Sequence, residues 1–245
     1  MTTLVFFHGW GASGRIWEGQ VAAFGHRLTV LTPTVPAGEA GWFSNFLRKL
    51  RKMPLRETLL VGWSLGGMLL LEALSGLTDP SPRGLVLVGV APVFTRRPDY
   101  PWGQPPAVIR AMRRALTKNT KNPQPVLAEF AEQCLAPGEA GFASQARQAF
   151  VSQAGSETLA AGLDYMLNQD LRPLLPGLPT GAVVIQGQED RIVDPAQGEF
   201  LKEHLAGSRL NLLPGAGHLP FLTQAAAFNR ILEECLLEGL SNHGQ

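Results

Sequence analysis

The pentapeptide Gly62-Trp63-Ser64-Leu65-Gly66 constrains the fold of this chain more than any other stretch. It stands between the apolar run Leu59-Leu60-Val61 and the helix-prone run Met68-Leu69-Leu70-Leu71-Glu72-Ala73-Leu74. A strand, then Gly-x-Ser-x-Gly, then a helix is the setting of a nucleophile elbow. So tight a turn strains the backbone at the serine and leaves no room for side chains at the flanking glycines. It lifts the serine oxygen above the sheet, and the helix N-terminus behind it favours developing negative charge.

The surrounding pattern extends that local reading to a fold class. Leu4-Val5-Phe6-Phe7 is a short apolar run cut off by His8-Gly9-Trp10-Gly11, as expected of a buried parallel strand feeding a loop. Further strands are expected at 27–32, 58–62, 84–90, 181–187 and 209–213, with helices at 42–53, 66–76 and 225–239. Short apolar strands alternating with helices predict an α/β fold around a parallel sheet. Residues 94–175 break the rhythm, with helix formers between prolines and no convincing strand. We read 1–93 and 176–245 as the core and 94–175 as a helical insertion. At the carboxyl edge of a parallel sheet it would sit where ligands bind and act as a lid.

A serine hydroxyl needs a base within hydrogen-bond reach to act as a nucleophile. Of five histidines, His218 sits in the glycine-rich loop Pro214-Gly215-Ala216-Gly217-His218, between the last strand and the last helix. That placement fits the order serine, acid, histidine. His26 and His204 look like surface residues at helix ends, and His243 lies near the C-terminus. His8 is read as bracing its loop. The acid that would orient the base is sought in Gln188-Glu189-Asp190-Arg191-Ile192-Val193-Asp194, where a strand runs into an acidic loop. Asp190 is the first choice, Asp194 the second and Glu189 the third. An oxyanion needs two preorganised N–H donors. Leu65 supplies one at the helix start, and Trp10 the other, with its indole laid beside the acyl group.

Composition removes several other classes of function. The 245 residues carry a net charge of +1, with 45% hydrophobic and 17% charged residues, which speaks against general nucleic-acid or membrane-surface binding. No apolar run reaches the length of a membrane span, no signal peptide is visible, and Cys134 and Cys235 lack metal-ligand spacing. Reduced thiols, a cytoplasmic location, a monomer, no metal and no cofactor are therefore expected.

Together these motifs, His8-Gly9-Trp10-Gly11, Gly62 to Gly67, Gly187 to Asp190 and Gly217-His218, are similar to the α/β-hydrolase superfamily. Within it, HGWG paired with GWSLGG, Ala91-Pro92-Val93-Phe94, and Gly162-Leu163 to Asp170-Leu171-Arg172 resemble the pimeloyl-[acyl-carrier protein] methyl ester carboxylesterases of biotin synthesis. The resemblance implies Ser64 as nucleophile, His218 as base, Asp190 as orienting acid, and Trp10 and Leu65 at substrate and oxyanion positions. It implies as partner an acidic acyl-carrier protein bearing a pimeloyl methyl ester, and it aligns Phe130, Ala131, Glu132, Gln133 and Cys134 with a segment lining the acyl tunnel. The superfamily's N-terminal hairpin is missing or reduced here, so about six strands are expected. The family's carrier-gripping arginines are partly replaced, as by Glu129. Yet residues 96–121 hold seven basic residues and one acid, and Arg110, Arg113, Arg114, Lys118 and Lys121 are the expected carrier-protein patch. The same elbow also suits other esters, thioesters, lactones or carbon–carbon bonds, and a non-catalytic binding module of this fold is a further alternative.

Overall fold

The computed structural model describes residues 2–35, 42–77, 81–118, 122–150 and 154–241. Strand β1 is Thr3–Phe7, helix α1 Glu18–Phe24, β2 Thr29–Leu31, α2 Trp42–Arg51, β3 Thr58–Trp63, α3 Leu65–Ser75 and β4 Gly84–Val88. Helices α4 Pro106–Lys118, α5 Gln124–Gln133, α6 Ala143–Ala149 and α7 Ser156–Asn168 follow. The chain then returns to the sheet with β5 Val183–Gly187, α8 Pro195–His204, β6 Arg209–Leu213, α9 Pro220–Thr223 and α10 Ala225–Ser241. Each expected strand is present with its ends within two residues of the expected bounds; 27–32 shortens to Thr29–Leu31 and 84–90 to Gly84–Val88. Among the described residues, α4–α7 fill the segment between β4 and β5, and no strand of the sheet falls there.

All six strands are parallel, in the order β2-β1-β3-β4-β5-β6, with helices flanking the sheet. Every residue of β3 is buried, Thr58 included, as expected of a central parallel strand built on the apolar run Leu59-Leu60-Val61. The chain leaves β1 outward to β2 and then returns across β1 to β3. This reversal opens a crevice between the loops that follow β1 and β3, the place where ligands bind in open α/β sheets. Trp17 anchors one face of the core, its ring 4.8 Å from Phe6 and 4.3 Å from Phe221.

The β3–α3 connection takes the conformation its sequence demands. Ser64 lies at φ 52°, ψ −121°, and is the sole non-glycine at positive φ among the described residues. Its N–H donates to the Val88 carbonyl at 2.9 Å, which locks the turn to the end of β4. A methyl group at Gly62 would lie 2.6 Å from Gly67 Cα, and one at Gly66 2.6 Å from the carbonyl oxygens of Phe7 and His8. The glycines are therefore set by backbone packing as well as by the serine.

His8 fixes the other wall of the crevice. Its Nδ1 donates to the Gly9 carbonyl at 2.9 Å, and its Nε2 accepts from the Val35 N–H at 2.9 Å. The ring therefore ties the loop after β1 to the chain beyond β2, which is the bracing role expected of it. Burial drives its pKa down from 6.5 to about 4, against a smaller opposing effect of the Gly9 carbonyl.

Two outcomes follow from these local arrangements. Ser64→Gly relieves the positive-φ strain that Ser64→Ala retains. It should be the more stable variant by about 1 kcal/mol in chemical denaturation, after allowing for glycine's greater unfolded-state freedom. His8 is neutral when folded but titrates near 6.5 when unfolded, so between pH 6.5 and 4 the unfolded chain binds the extra proton. The stability it contributes is complete above pH 6.5 and lost as pH falls toward 4, about 3 kcal/mol in all. His8→Gln should flatten that part of the stability–pH curve while leaving the rest of its shape unchanged.

Candidate functional site

Four loops meet at the carboxyl edge of the sheet. Ser64 follows β3, Gly89 follows β4, Asp190 follows β5 and His218 follows β6. The loops after β5 and β6 are stitched together by Gln188 N–H to the Leu213 carbonyl at 3.0 Å and Glu189 N–H to the Ala216 carbonyl at 2.9 Å. His218 Nδ1 donates to Asp190 Oδ2 at 2.7 Å, with both side chains wholly shielded from solvent. Asp190 Oδ1 accepts from the Ile192 and Val193 N–H groups at 2.8 and 2.9 Å, and Oδ2 also accepts from Gln186 Nε2 at 3.1 Å.

Of the three acids in this loop, Asp190 is the one brought to the histidine. Asp194 caps α8, accepting from the Ala196 N–H at 2.9 Å, and Glu189 is exposed. With Nδ1 committed to a carboxylate, the His218 Nε2 carries the lone pair, and it is buried with no hydrogen-bond partner. The histidine is held on the same edge as the serine through the end of β4. Ser64 is bonded to Val88, and at the next residue, Gly89, a methyl group would lie 2.9 Å from His218 Nδ1 and 3.3 Å from Asp190 Oδ2. Gly89 itself has φ 52°, so this position excludes side chains both sterically and conformationally.

The elbow's neighbours hold the histidine loop from the other side. Trp63 Nε1 donates to the His218 carbonyl at 2.9 Å, and its ring lies 5.4 Å from the imidazole. Across the crevice, a methyl group at Gly9 would lie 3.1 Å from Ser64 Cβ, so the loop after β1 passes directly over the serine. Trp10 is buried there, its Nε1 donating to the Leu159 carbonyl of α7 at 2.8 Å and its ring edge-on to Phe130 at 5.1 Å. Leu65 is buried as the first residue of α3.

The segment 130–134 divides by helical phase. Phe130, Ala131 and Cys134 are buried, whereas Glu132 and Gln133 face solvent, Glu132 paired with Arg147 at 2.6 Å and Gln133 bonded to Glu129. Consecutive residues of a helix point to different faces, so the five cannot line one tunnel wall together. The basic residues divide too. Arg110, Arg114 and Lys118 recur every fourth residue along exposed positions of α4, while Arg113 turns aside to pair with Asp164 of α7 at 2.6 Å. Lys121 lies outside the described residues.

Two residues at this site, Glu139 and Gln104, were not singled out from the sequence, nor was the main-chain role of Cys134. The His218 N–H donates to the Cys134 carbonyl at 2.7 Å, so the end of α5 holds the main chain of the histidine. Glu139, buried, accepts from the N–H groups of Gly217 at 3.0 Å and Ala136 at 2.8 Å. Gln104 Nε2 donates to the carbonyls of Arg191 and Ile192 at 2.7 and 2.9 Å, pinning the acid's loop. Burial, and then the Asp190 charge, push the Cys134 thiol upward, so it stays protonated and is a poor nucleophile. Both cysteines are free and buried.

Comparison with known proteins places the chain in a family. A model of the alpha/beta hydrolase family matches residues 4–231. Relatives named pimeloyl-[acyl-carrier protein] methyl ester esterase include one from Nitrosomonas europaea, 28% identical over 90% of each chain. Another, from Aeromonas hydrophila, is 29% identical over 94% of this chain and 93% of its own. Among solved structures, an esterase from Exiguobacterium antarcticum superposes with a TM-score of 0.84 at 23% identity, covering 96% of this chain and 91% of that one. The enol-lactonase from Burkholderia xenovorans LB400 gives 0.78 at 21% identity, covering 96% and 91%. At such identities the solved structures speak for the fold alone. The family match spans most of the sequence, including every loop that builds the site, and the chain belongs to the alpha/beta hydrolase family.

Proposed function

We propose that this protein is a serine carboxylesterase that hydrolyses the methyl ester of a pimeloyl group carried on acyl-carrier protein, working as a cytoplasmic monomer. Ser64 is the nucleophile, His218 the base and Asp190 the acid that orients it. The observation that carries the reading is the buried 2.7 Å pairing of His218 Nδ1 with Asp190, which leaves Nε2 free at the sheet edge that holds the strained Ser64. The named relatives support the substrate.

In this reading the Ser64 oxygen attacks the ester carbonyl carbon as its proton passes to His218 Nε2. The backbone N–H groups of Leu65 and Trp10 stabilise the oxyanion that forms. Preorganised donors of this kind are worth about 3 kcal/mol each in the transition state. Collapse expels the methoxy group, which takes the proton from His218 and leaves as methanol. Water, deprotonated by His218, then attacks the acyl-enzyme; the Ser64 oxygen recovers the proton, and the free carboxylate is released on its carrier. Asp190 remains ionised throughout and stabilises the imidazolium.

The helical segment 94–175 acts as the lid. Ser64 is only 5% exposed, and the lid elements touch the catalytic set through Trp10 and the His218 main chain. Phe130, Ala131 and Cys134 are the lid residues turned inward to meet the acyl chain. On the outside, Arg110, Arg114 and Lys118 form the face that meets the acidic carrier protein. Arg113 is half spent on Asp164, so its contribution to that face is smaller.

A direct assay on pimeloyl-carrier methyl ester against a simple methyl ester of matched length tests the substrate. The carrier-bound ester should be preferred by at least about tenfold in kcat/KM, and equal rates would remove the carrier from the proposal. Ser64→Ala should abolish hydrolysis of both while melting as a folded protein. Arg110→Glu combined with Arg114→Glu should raise KM for the carrier-bound ester about tenfold or more and leave the simple ester unaffected; the difference should shrink in high salt.

A further inference from the structure

The sequence Val183-Val184-Ile185-Gln186 places an amide where the strand pattern calls for another apolar side chain. Gln186 is fully buried in β5, and its oxygen Oε1 has no hydrogen-bond partner. All its polar contacts run through the other end of the amide. Nε2 donates to Asp190 Oδ2 at 3.1 Å, to the Val193 carbonyl at 3.0 Å and to the Gly187 carbonyl at 3.3 Å. Turning the amide over would aim its oxygen at three acceptors, so this orientation is the only one its surroundings allow. A hydrophobic residue would fill the space without burying a partnerless amide oxygen, but it would give up the bonds to Asp190 and the Val193 carbonyl.

We infer that Gln186 is a positioning residue for the hydrolysis, acting through Asp190; the inference rests on the catalytic roles proposed above. The Asp190 carboxylate is held at both oxygens, by Ile192 and Val193 N–H on Oδ1 and by His218 and Gln186 on Oδ2. The backbone donors alone leave Oδ2 free to swing with the imidazole. The Gln186 amide stops that motion and also bridges the loop by bonding Gly187, at the end of β5, and Val193, two residues before α8. Helix α8 seals the arrangement: a methyl group at Gly198 would lie 3.2 Å from Gln186 Cβ and Cγ, so the helix presses directly on this side chain. Within so dry a setting, an acid fixed in direction fixes the imidazole ring, and Nε2 is delivered to the serine without a search.

The test is a double-mutant cycle read on an activated p-nitrophenyl ester, with kcat and KM measured for wild type, Gln186→Leu, Asp190→Asn and the double variant. Rates are normalised to the sites that a fluorophosphonate labels at Ser64. Gln186→Leu should lower kcat about tenfold with KM within about twofold, since binding is untouched and only the alignment of the base is lost. In the Asp190→Asn background the same change should cost nothing further, because the group it acts through is gone. An unchanged kcat in Gln186→Leu, or an equal loss in both backgrounds, overturns the inference. Gln186→Met gives a second determination with the original chain length if the leucine variant does not fold. Wild-type activity in Asp190→Asn alone would instead overturn the catalytic reading itself, so the two failures are separable.

Discussion

The site depends on the β3–α3 turn. Holding Ser64 at φ 52° carries a conformational cost that the sequence offsets locally, with the Ser64–Val88 hydrogen bond and with glycines that let strand, helix and the loop after β1 close to backbone contact. Once the turn is that tight, its register fixes much else. Trp63, one residue before the serine, must point into the core beneath the site, and there its indole N–H takes up the His218 carbonyl. The residue that orients the histidine main chain is thus covalently next to the serine, and the two cannot drift apart without breaking the turn.

The topology turns this local rigidity into a site. Because β1 and β3 are neighbours whose chains depart in opposite directions, the His8–Gly11 loop has nowhere to go except over the elbow. His8 secures it with both ring nitrogens, a use of histidine that requires the neutral ring and that burial enforces. The parallel register then delivers the loops after β5 and β6 to the same edge, where the Gln188 and Glu189 N–H bonds set the distance between Asp190 and His218. None of these loops supplies a rigid element of its own. The sheet behind them does.

Much of this was legible in the sequence because it is written in local signals. The apolar runs bounded by glycine gave the strands, and their alternation with helices gave the parallel sheet. Loops at strand ends narrowed the acid to three candidates. Asp190 ranks ahead of Asp194 on sequence and resemblance, and the geometry supplies the reason, since Asp194 is spent on a helix cap. The helical segment 94–175, proposed as the lid, was harder to read. A linear segment from Phe130 to Cys134 ignores helical phase, and Glu132 and Gln133 turn outward from their neighbours. Arg113 matched the basic pattern, but its pairing with Asp164 joins two helices far apart in the chain. Glu139 and Gln104 carried no signal, because each matters through tertiary contacts that no spacing announces, and Gln186 stood out only as an amide in an apolar strand.

The distribution of unsatisfied groups argues that the loops after β5 and β6 were shaped by something other than stability. Native interiors leave few buried polar atoms without partners. Among the described residues six side-chain atoms are so placed, and three of them, on Glu139, Gln186 and His218, belong to the network around one imidazole. Each orphaned atom costs about 1–3 kcal/mol relative to a bonded or apolar alternative. A core shaped by packing alone has apolar side chains at such positions, with no polar atom to leave unpaired. Instead Gln186 and Glu139 each give up one oxygen so that their other polar atoms can hold a neighbour: Asp190 in one case, the Gly217 main chain in the other. Both neighbours bear directly on where His218 points. The free Nε2 of His218 is the third orphan, and in the mechanism proposed above its missing partner is the proton of Ser64.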